Sequence, residues 1–148
     1  ANQLRNQRIC SLIATTSQVD QRLITQRLQT SLSKIKLVYS STSDETLACL
    51  DTMANEYYDF PSLLLLDLEI AARPVTWQLL EQIRASYHLL PVVVISLDGR
   101  LETVKQAYDL GANGFVHKSL NWHRWEQQLI SLADYWLQVV SLPKLPPL

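Results

Sequence analysis

The sequence is poor in the residues that build disulfide frameworks, glycine-rich loops and metal clusters. Its 148 residues include only 2 cysteines and 3 glycines. Cys10 and Cys49 stand apart, with no CxxC pair and no neighbouring histidine, which argues against a disulfide scaffold or a zinc site. Isolated cysteines are typical of proteins in a reducing compartment, so we predict a cytoplasmic location.

An excess of charge of either sign is also missing. Lysine and arginine total 13 against 14 aspartates and glutamates, for a formal net charge of -1. This balance gives no electrostatic reason to expect binding to nucleic acid or to an anionic membrane. The apolar runs are only as long as strands, and the polar start ANQLRNQR lacks the apolar segment of a signal peptide. We therefore expect a globular domain that binds neither nucleic acid nor membranes.

Short apolar runs alternate with helix-length amphipathic segments along the chain. Five runs are predicted to be strands: RICSLIA (8–14), IKLVYS (35–40), PSLLLLDL (61–68), PVVVIS (91–96) and NGFVHK (113–118). The third and fourth runs are apolar at nearly every position, as strands buried on both faces of a parallel sheet must be. The alternation predicts an α/β domain with a flavodoxin-like, doubly wound sheet. We expect five parallel strands in the order 2-1-3-4-5, with helices on both faces.

The segments between the runs carry apolar residues three or four positions apart, which predicts helices. Ser17 and Asp20 are predicted to form a capping box for the first helix, and Ser43 to cap the second. Gly111 is predicted to end the fourth helix, and the last helix to cover residues 121–141. The faces expected to be buried are Val19, Leu23, Ile24, Leu28 and Leu32 in the first helix, Leu47, Leu50 and Ala54 in the second, Leu79, Leu80, Ile83 and Tyr87 in the third, and Leu101, Val104 and Tyr108 in the fourth.

The carboxyl ends of the strands mark the expected ligand crevice, which lies where strands 1 and 3 meet. Strand 3 ends at Asp67, strand 4 at Ser96 and strand 5 at Lys118. Together these residues suit phosphoryl chemistry, because a carboxylate is a nucleophile while an ammonium and a hydroxyl bind phosphoryl oxygens. Each residue taken singly has an ordinary structural explanation, as a loop cap or a solvated lysine. Agreement among three strand ends favours a phosphoryl site.

Three segments resemble the receiver domain of two-component response regulators: LLLLDLEI, PVVVIS and DLGANGFVHKS. The resemblance covers about residues 8–140. It implies that Asp67 is the phospho-acceptor of a phosphorelay, Ser96 the switch hydroxyl, Phe115 the switch aromatic and Lys118 the lysine that senses the phosphoryl group. It also implies a signalling domain rather than an enzyme, with a protein partner such as a histidine kinase. The segment YWLQVVSLPKLP (135–146) is similar to stand-alone receivers that partner bacterial phytochromes.

Thr15 and Thr16 follow the first strand, where receivers carry two adjacent acidic residues that hold Mg²⁺. A hydroxyl is a weak ligand for a hard dication that prefers carboxylates. We therefore predict an atypical receiver, or pseudo-receiver, that acts by protein–protein recognition and holds no metal or other cofactor. If Glu69 points away, Asp67 is left facing Lys118 alone, and we predict that these two residues form a structural ion pair.

Two alternatives remain open at this point. In the first, the receiver accepts a phosphoryl group on Asp67 from a histidine kinase, and Glu69 or Asp98 helps to hold the metal. In the second, more distant alternative, the hydroxyl-rich loop ATTSQVD binds the phosphate of FMN, as in flavodoxins, through backbone N–H groups at a helix N-terminus.

Apolar residues of the last helix extend beyond one face. A stripe typical of core contact consists of Trp122, Trp125, Leu129, Leu132 and Trp136. The stripe is widened by Ile130, Leu137, Val139, Val140 and Leu142. Excess apolar area predicts a partner, for which we take a second copy of the chain. We divide the chain into a receiver domain, residues 1–141, and a proline-rich tail, residues 142–148, which we expect to contribute to the homodimer.

Overall fold

A computed structural model describes residues 9–55 and 60–142. It contains five strands: β1 (Cys10–Ala14), β2 (Lys36–Ser40), β3 (Leu63–Asp67), β4 (Val92–Ser96) and β5 (Gly114–His117). All neighbouring strands are parallel, and their order is β2-β1-β3-β4-β5. The predicted fold class and strand order are confirmed.

The helices alternate with the strands along the chain. They are α1 (Gln18–Ser31), α2 (Ser43–Met53), α3 (Arg73–Ser86), α4 (Leu101–Asp109) and α5 (Trp122–Asp134). A 3₁₀ turn, Leu68–Ile70, follows β3, and a π-helical turn, Tyr135–Val139, continues α5. In the part of the chain that the structure describes, no helix is long and apolar enough to span a bilayer.

The central strands are buried on both faces, and their side chains alternate between two apolar cores. Leu64 and Leu66 of β3 pack on the side of α2, α3 and α4. Leu63 and Leu65 pack on the side of α1 and α5. All four leucines are at most 1% exposed. The alternation carries on to Asp67, which therefore reaches the side of α1 and α5 at the carboxyl end of the sheet.

The first two helices differ from the prediction at their N-terminal ends. In α1, Val19 is 53% exposed and Asp20 is only 8% exposed, so the face predicted around Val19 is wrong at its first turn. Asp20 is inside because its carboxylate has partners there, which are described below. In α2, the side chain of Thr42 accepts the N–H of Glu45, and Ser43 is the first helical residue rather than the cap.

The fourth helix is rotated relative to its predicted face. Leu101 and Tyr108 are 83% and 48% exposed, whereas Thr103 and Ala107 are buried. Ala107 is small enough to let the helix approach the sheet, and the hydroxyl of Thr103 donates to a carboxylate instead of needing water. Gly111 ends this segment at φ +109°, which confirms the prediction of a glycine at the helix end.

The last helix buries Trp125, Leu129 and Leu132 as predicted, but Trp122 is 58% exposed. The helix does not continue regularly to residue 141. The π-helical turn adds a residue to its final turn, and Leu137 enters the core at 8% exposure. The assignment of Leu137 to a partner surface is therefore wrong. The tail beyond residue 142 lies outside the described residues.

Candidate functional site

Asp67 lies at the end of β3 with both carboxylate oxygens engaged. The Thr15 hydroxyl donates to Asp67 Oδ2 over 2.7 Å, and the Glu69 N–H donates to Oδ1 over 2.9 Å. Burial raises the pKa of Asp67 above its ordinary value of 3.8, although these two hydrogen bonds act to lower it. Thr16, the other threonine of the predicted site, is exposed. Of the two threonines, Thr15 is the one that binds the Asp67 carboxylate.

Lys118 pairs with a different carboxylate from the one predicted. Its Nζ lies 2.5 Å from Asp20 Oδ2, and the two side chains are 22% and 12% exposed. The other oxygen of Asp20 accepts the indole N–H of Trp125 over 3.1 Å, and the ammonium lies 5.3 Å from the centre of the Trp125 ring. The predicted ion pair between Asp67 and Lys118 is wrong. The pair with Lys118 is favourable because the mostly buried carboxylate of Asp20 would be costly without a partner of opposite charge.

The sequence pattern predicts Asp20 only as part of a helix cap. The first half of the predicted capping box is present, since Ser17 Oγ accepts the N–H of Asp20. The second half is absent, because the N–H of Ser17 donates to Thr15 Oγ1 and leaves the carboxylate of Asp20 available for Lys118. A signal did exist in the sequence. Asp20 precedes Ile24 by four residues and Leu28 by eight, so helical periodicity places it on the buried face.

Ser96, at the end of β4, is 1% exposed and binds Glu69 rather than Asp67. Its hydroxyl donates to Glu69 Oε2 over 2.6 Å, and the N–H of Leu97 donates to Glu69 Oε1 over 2.7 Å. The strand register explains this arrangement, because Asp67 pairs with Ile95 and not with Ser96. The carboxylate of Glu69 thus binds the end of β4, while Lys118 pairs with Asp20.

Two predicted residues remain, Phe115 in β5 and Asp98 after β4. Phe115 is half-buried and packs against the core that contains β3 and α3. Asp98 binds Arg73 and Arg100, and hydrogen bonds from Arg100 hold the pKa of Asp98 well below its usual range. These partners direct Asp98 to the start of α4 and away from Asp67.

The space at the crevice is small. A pocket bordered by Thr15, Asp20 and Asp67 has a free volume of about 10 Å³, which is the space of roughly one water molecule. Within residues 9–55 and 60–142, no group of three or more histidine, cysteine, aspartate or glutamate side chains is placed to hold a metal ion. Chemically, the arrangement is a set of satisfied polar pairs around the half-buried carboxylate of Asp67.

Comparisons with known proteins agree with this fold. The family model for the response regulator receiver domain matches residues 19–130. Response regulator Rcp1 of Synechocystis sp. (strain ATCC 27184 / PCC 6803 / Kazusa) is 27% identical over 135 residues, which cover 89% of this chain and 91% of Rcp1.

Two solved structures share the architecture over most of the chain. The phosphorylated cyanobacterial phytochrome response regulator RcpA has a TM-score of 0.81 and 26% identity, with 92% of this chain and 99% of RcpA covered. The Mn²⁺-bound form of response regulator Rcp1 has a TM-score of 0.80 and 26% identity, with 91% of this chain and 99% of that chain covered. The chain belongs to the receiver domain family of two-component response regulators.

Proposed function

We propose that this chain is an atypical receiver that signals through protein–protein recognition and has lost ordinary phosphotransfer to Asp67. The observation that carries the proposal is the pairing of Lys118 with Asp20. A lysine that neutralises an incoming phosphoryl group must be free to reach it. Here the ammonium is held by a carboxylate that belongs to the protein.

The metal side of the chemistry supports the same proposal. Phosphoryl transfer to a carboxylate is normally assisted by a divalent cation, which contributes several kcal/mol of charge stabilisation. Asp20 and Asp67 border the same small pocket, and all four of their carboxylate oxygens accept hydrogen bonds from protein groups. Thr15 adds only a neutral hydroxyl. This set of oxygen atoms does not fit Mg²⁺, which requires near-octahedral oxygen ligands and usually keeps several water molecules, because the pocket beside Asp67 has space for only about one.

The competing function is a receiver that is phosphorylated on Asp67 by a histidine kinase. The similarity to RcpA, which has been solved in a phosphorylated form, favours this alternative. Both candidates share the fold and the family, and they differ only in the chemistry of Asp67. Membership in the receiver family argues against the flavin-binding alternative.

The test is incubation of the protein with acetyl phosphate, with and without Mg²⁺, followed by measurement of the intact mass. Asp67→Asn serves as the control, because it removes the nucleophile while keeping the side-chain shape. We expect no mass increase in either protein under either condition. A Mg²⁺-dependent gain of one phosphoryl group that is absent from Asp67→Asn would establish the competing function instead.

The partner is proposed to be another protein. The likeness to Rcp1 and RcpA favours a sensor of the phytochrome type, and a homodimer is proposed through the end of the last helix. Tyr135 and Val139 support the homodimer, since they are 53% and 71% exposed on adjacent turns of the π-helical segment. The cytoplasmic location and the domain boundary at residue 141 stay predictions.

A further inference from the structure

Two hydrogen-bond donors at the end of β4 point at one carboxylate. The Ser96 hydroxyl and the Leu97 N–H each donate to a different oxygen of Glu69, over 2.6 and 2.7 Å. Ser96 is 1% exposed, so its hydroxyl needs a partner within the protein. Hydrogen bonds to an ionised acceptor are about twice as strong as neutral ones. The end of β4 is thus built to hold an oxyanion, and the chain supplies that anion itself.

Glu69 is placed for this contact by Asp67. Asp67 caps the 3₁₀ turn Leu68–Ile70, because its Oδ1 accepts the N–H of Glu69, the second residue of the turn. Arg73, whose guanidinium lies 3.9 Å from Glu69 Oε2, adds a partly exposed positive charge on the same side. The contact therefore joins β3, α3 and β4 through one carboxylate, which is 36% exposed at its side chain.

The segment that follows Ser96 is held at several further points. The Asp98 N–H donates to Ser96 Oγ over 2.9 Å. The ring of His117 lies against Gly99, where an added Cβ would come within 2.2 Å of Nδ1, and His117 Nε2 is 3.2 Å from the Leu97 carbonyl oxygen. These contacts all depend on the direction in which the chain leaves β4. Glu69 sets that direction, because it binds the first residue of the segment and the last residue of the strand.

We infer that Glu69 is a positioning residue that occupies an oxyanion site formed by Ser96 and Leu97, and that it holds the 97–100 segment in one arrangement. This inference rests on the proposed function, in which the receiver signals without phosphorylation. The contact of Glu69 explains how the surface beside α4 can keep one shape in that case. The chemical class of ligand is a carboxylate or a phosphate, since both present two oxygens to two donors.

The test uses amide hydrogen exchange, resolved by residue with NMR, on the full chain and two variants. Glu69→Ala empties the site, and we expect the Leu97 amide to exchange about tenfold faster or more, because a hydrogen bond to a charged group contributes about 1.5–3 kcal/mol. Glu69→Gln keeps the shape but faces one donor with an NH₂ group, so we expect a smaller acceleration. Glu81→Ala, an exposed glutamate of α3, is the matched control and should leave Leu97 unchanged.

Chemical rescue distinguishes an anion site from simple packing. Sodium acetate should slow the Leu97 exchange of Glu69→Ala back towards the parent rate, whereas sodium chloride at equal ionic strength should not. Acetate should not rescue Glu69→Gln, whose side chain fills the site. Inorganic phosphate is the second probe, and rescue by phosphate as well as acetate would extend the ligand class to phosphate.

Two results overturn the inference. One is an unchanged Leu97 exchange rate in Glu69→Ala, and the other is faster exchange that chloride restores as well as acetate does. Val94, buried in β4, reports on the whole fold. If Glu69→Ala accelerates amide exchange at Val94 as much as at Leu97, the variant has weakened the whole fold, and Glu69→Gln becomes the deciding variant. An unchanged Leu97 exchange rate in Glu69→Gln then contradicts the inference. Failure here leaves the proposed function intact, because that function is judged separately by the mass of the protein after acetyl phosphate treatment.

Discussion

Lys118 and Asp20 are 98 residues apart in the chain and 2.5 Å apart in space. The pair is mostly buried and is completed by the indole N–H of Trp125, so the carboxylate of Asp20 has no unsatisfied oxygen. Removal of one partner leaves the other charge buried without compensation, which costs more than the pair itself contributes. The two residues are therefore expected to behave as one energetic unit.

A double-mutant cycle tests this unit at the residue scale. We expect Lys118→Ala and Asp20→Asn each to lower the free energy of unfolding, and their coupling energy to be about 1–3 kcal/mol. The control cycle uses Lys105 and Asp109, an exposed pair on α4 at 3.6 Å. Its coupling should stay below about 1 kcal/mol, because exposed pairs are screened by water. Urea unfolding of all variants provides the measurement. Additive effects of Lys118→Ala and Asp20→Asn would contradict the pairing.

Asp67 is predicted to lower the stability of the fold at neutral pH. Burial raises its pKa in the folded state above the ordinary 3.8, so the folded protein binds a proton more readily than the unfolded chain does. The penalty for ionised Asp67 is fully present above the folded pKa. It fades as pH falls through the folded pKa, and it is gone below the unfolded value.

Asp67→Asn should consequently be more stable than the parent at pH 7, and its advantage should disappear in acid. Asparagine can keep both contacts, because its amide oxygen accepts the Glu69 N–H while the Thr15 hydroxyl can accept as well as donate. The measurement is the difference in urea midpoint between the two proteins from pH 7 to pH 3. An advantage that grows towards low pH would mean that the pKa of Asp67 is lowered instead.

At the scale of the elements, one arginine joins α3 to two connections at the amino-terminal edge of the sheet. Arg84 of α3 donates to the Gly111 carbonyl oxygen over 2.6 and 3.0 Å, to Asn113 Oδ1 over 2.8 Å and to the Leu90 carbonyl oxygen over 2.9 Å. Burial lowers the pKa of Arg84 from its ordinary value. Gly111 suits this contact for two reasons: its φ is +109°, and an added Cβ would lie 2.8 Å from the Arg84 side chain.

We expect Arg84→Lys to lower the free energy of unfolding by about 1–3 kcal/mol, since a single ammonium cannot replace a planar guanidinium at several carbonyl groups. Arg22→Lys, at an exposed position of α1, is the control and should change stability by less than about 0.5 kcal/mol. Thermal unfolding followed by circular dichroism distinguishes the two variants. Equal effects would show that the contacts of Arg84 add nothing beyond those of a surface arginine.

At the scale of the whole molecule, the end of the last helix separates core from surface residue by residue. Leu137 is 8% exposed and packs with the residues of α1 and α5, while Val139 is 71% exposed. The proposed dimer therefore depends on Val139 and its exposed neighbour Tyr135. A charge at residue 137 would act on the fold instead of on the interface.

Val139→Glu should give a folded monomer, because it places a charge in the proposed interface. Leu137→Glu should destabilise the fold by several kcal/mol, because it buries an unpaired carboxylate. Leu89→Glu, at a residue that is 57% exposed in the connection between α3 and β4, should remain a dimer. Sedimentation velocity gives the association state, and circular dichroism reports the fold. A parent protein that is monomeric at high micromolar concentration would remove the basis for the dimer.

The sequence is sufficient for the fold and for the position of the crevice. Alternating apolar runs and helical periodicity predict the strands and helices, because apolar burial is non-directional and requires only that a residue face the correct side. The strand order follows from right-handed crossovers, which leave few arrangements of a doubly wound sheet. Parallel strands place their carboxyl ends at one edge, which brings Asp67 and Ser96 there without any detailed coordinates. Gly111 could also be predicted, since few other residues adopt its backbone conformation.

The partners at the crevice could not be predicted in the same way. Hydrogen bonds and ion pairs depend on distances of about 3 Å and on direction, so a choice between two nearby carboxylates requires the packed positions of α1, β3 and β5. No local sequence pattern decides whether Lys118 pairs with Asp67 or with Asp20. The packed position of α1 on the sheet brings Asp20 to the lysine. In the register of β3 against β4, Asp67 is paired with Ile95, and the Ser96 hydroxyl donates to Glu69 instead. The π-helical turn places Leu137 in the core. Tertiary packing thus assigns each polar group its partner, because only packing fixes side chains to within a hydrogen-bond length.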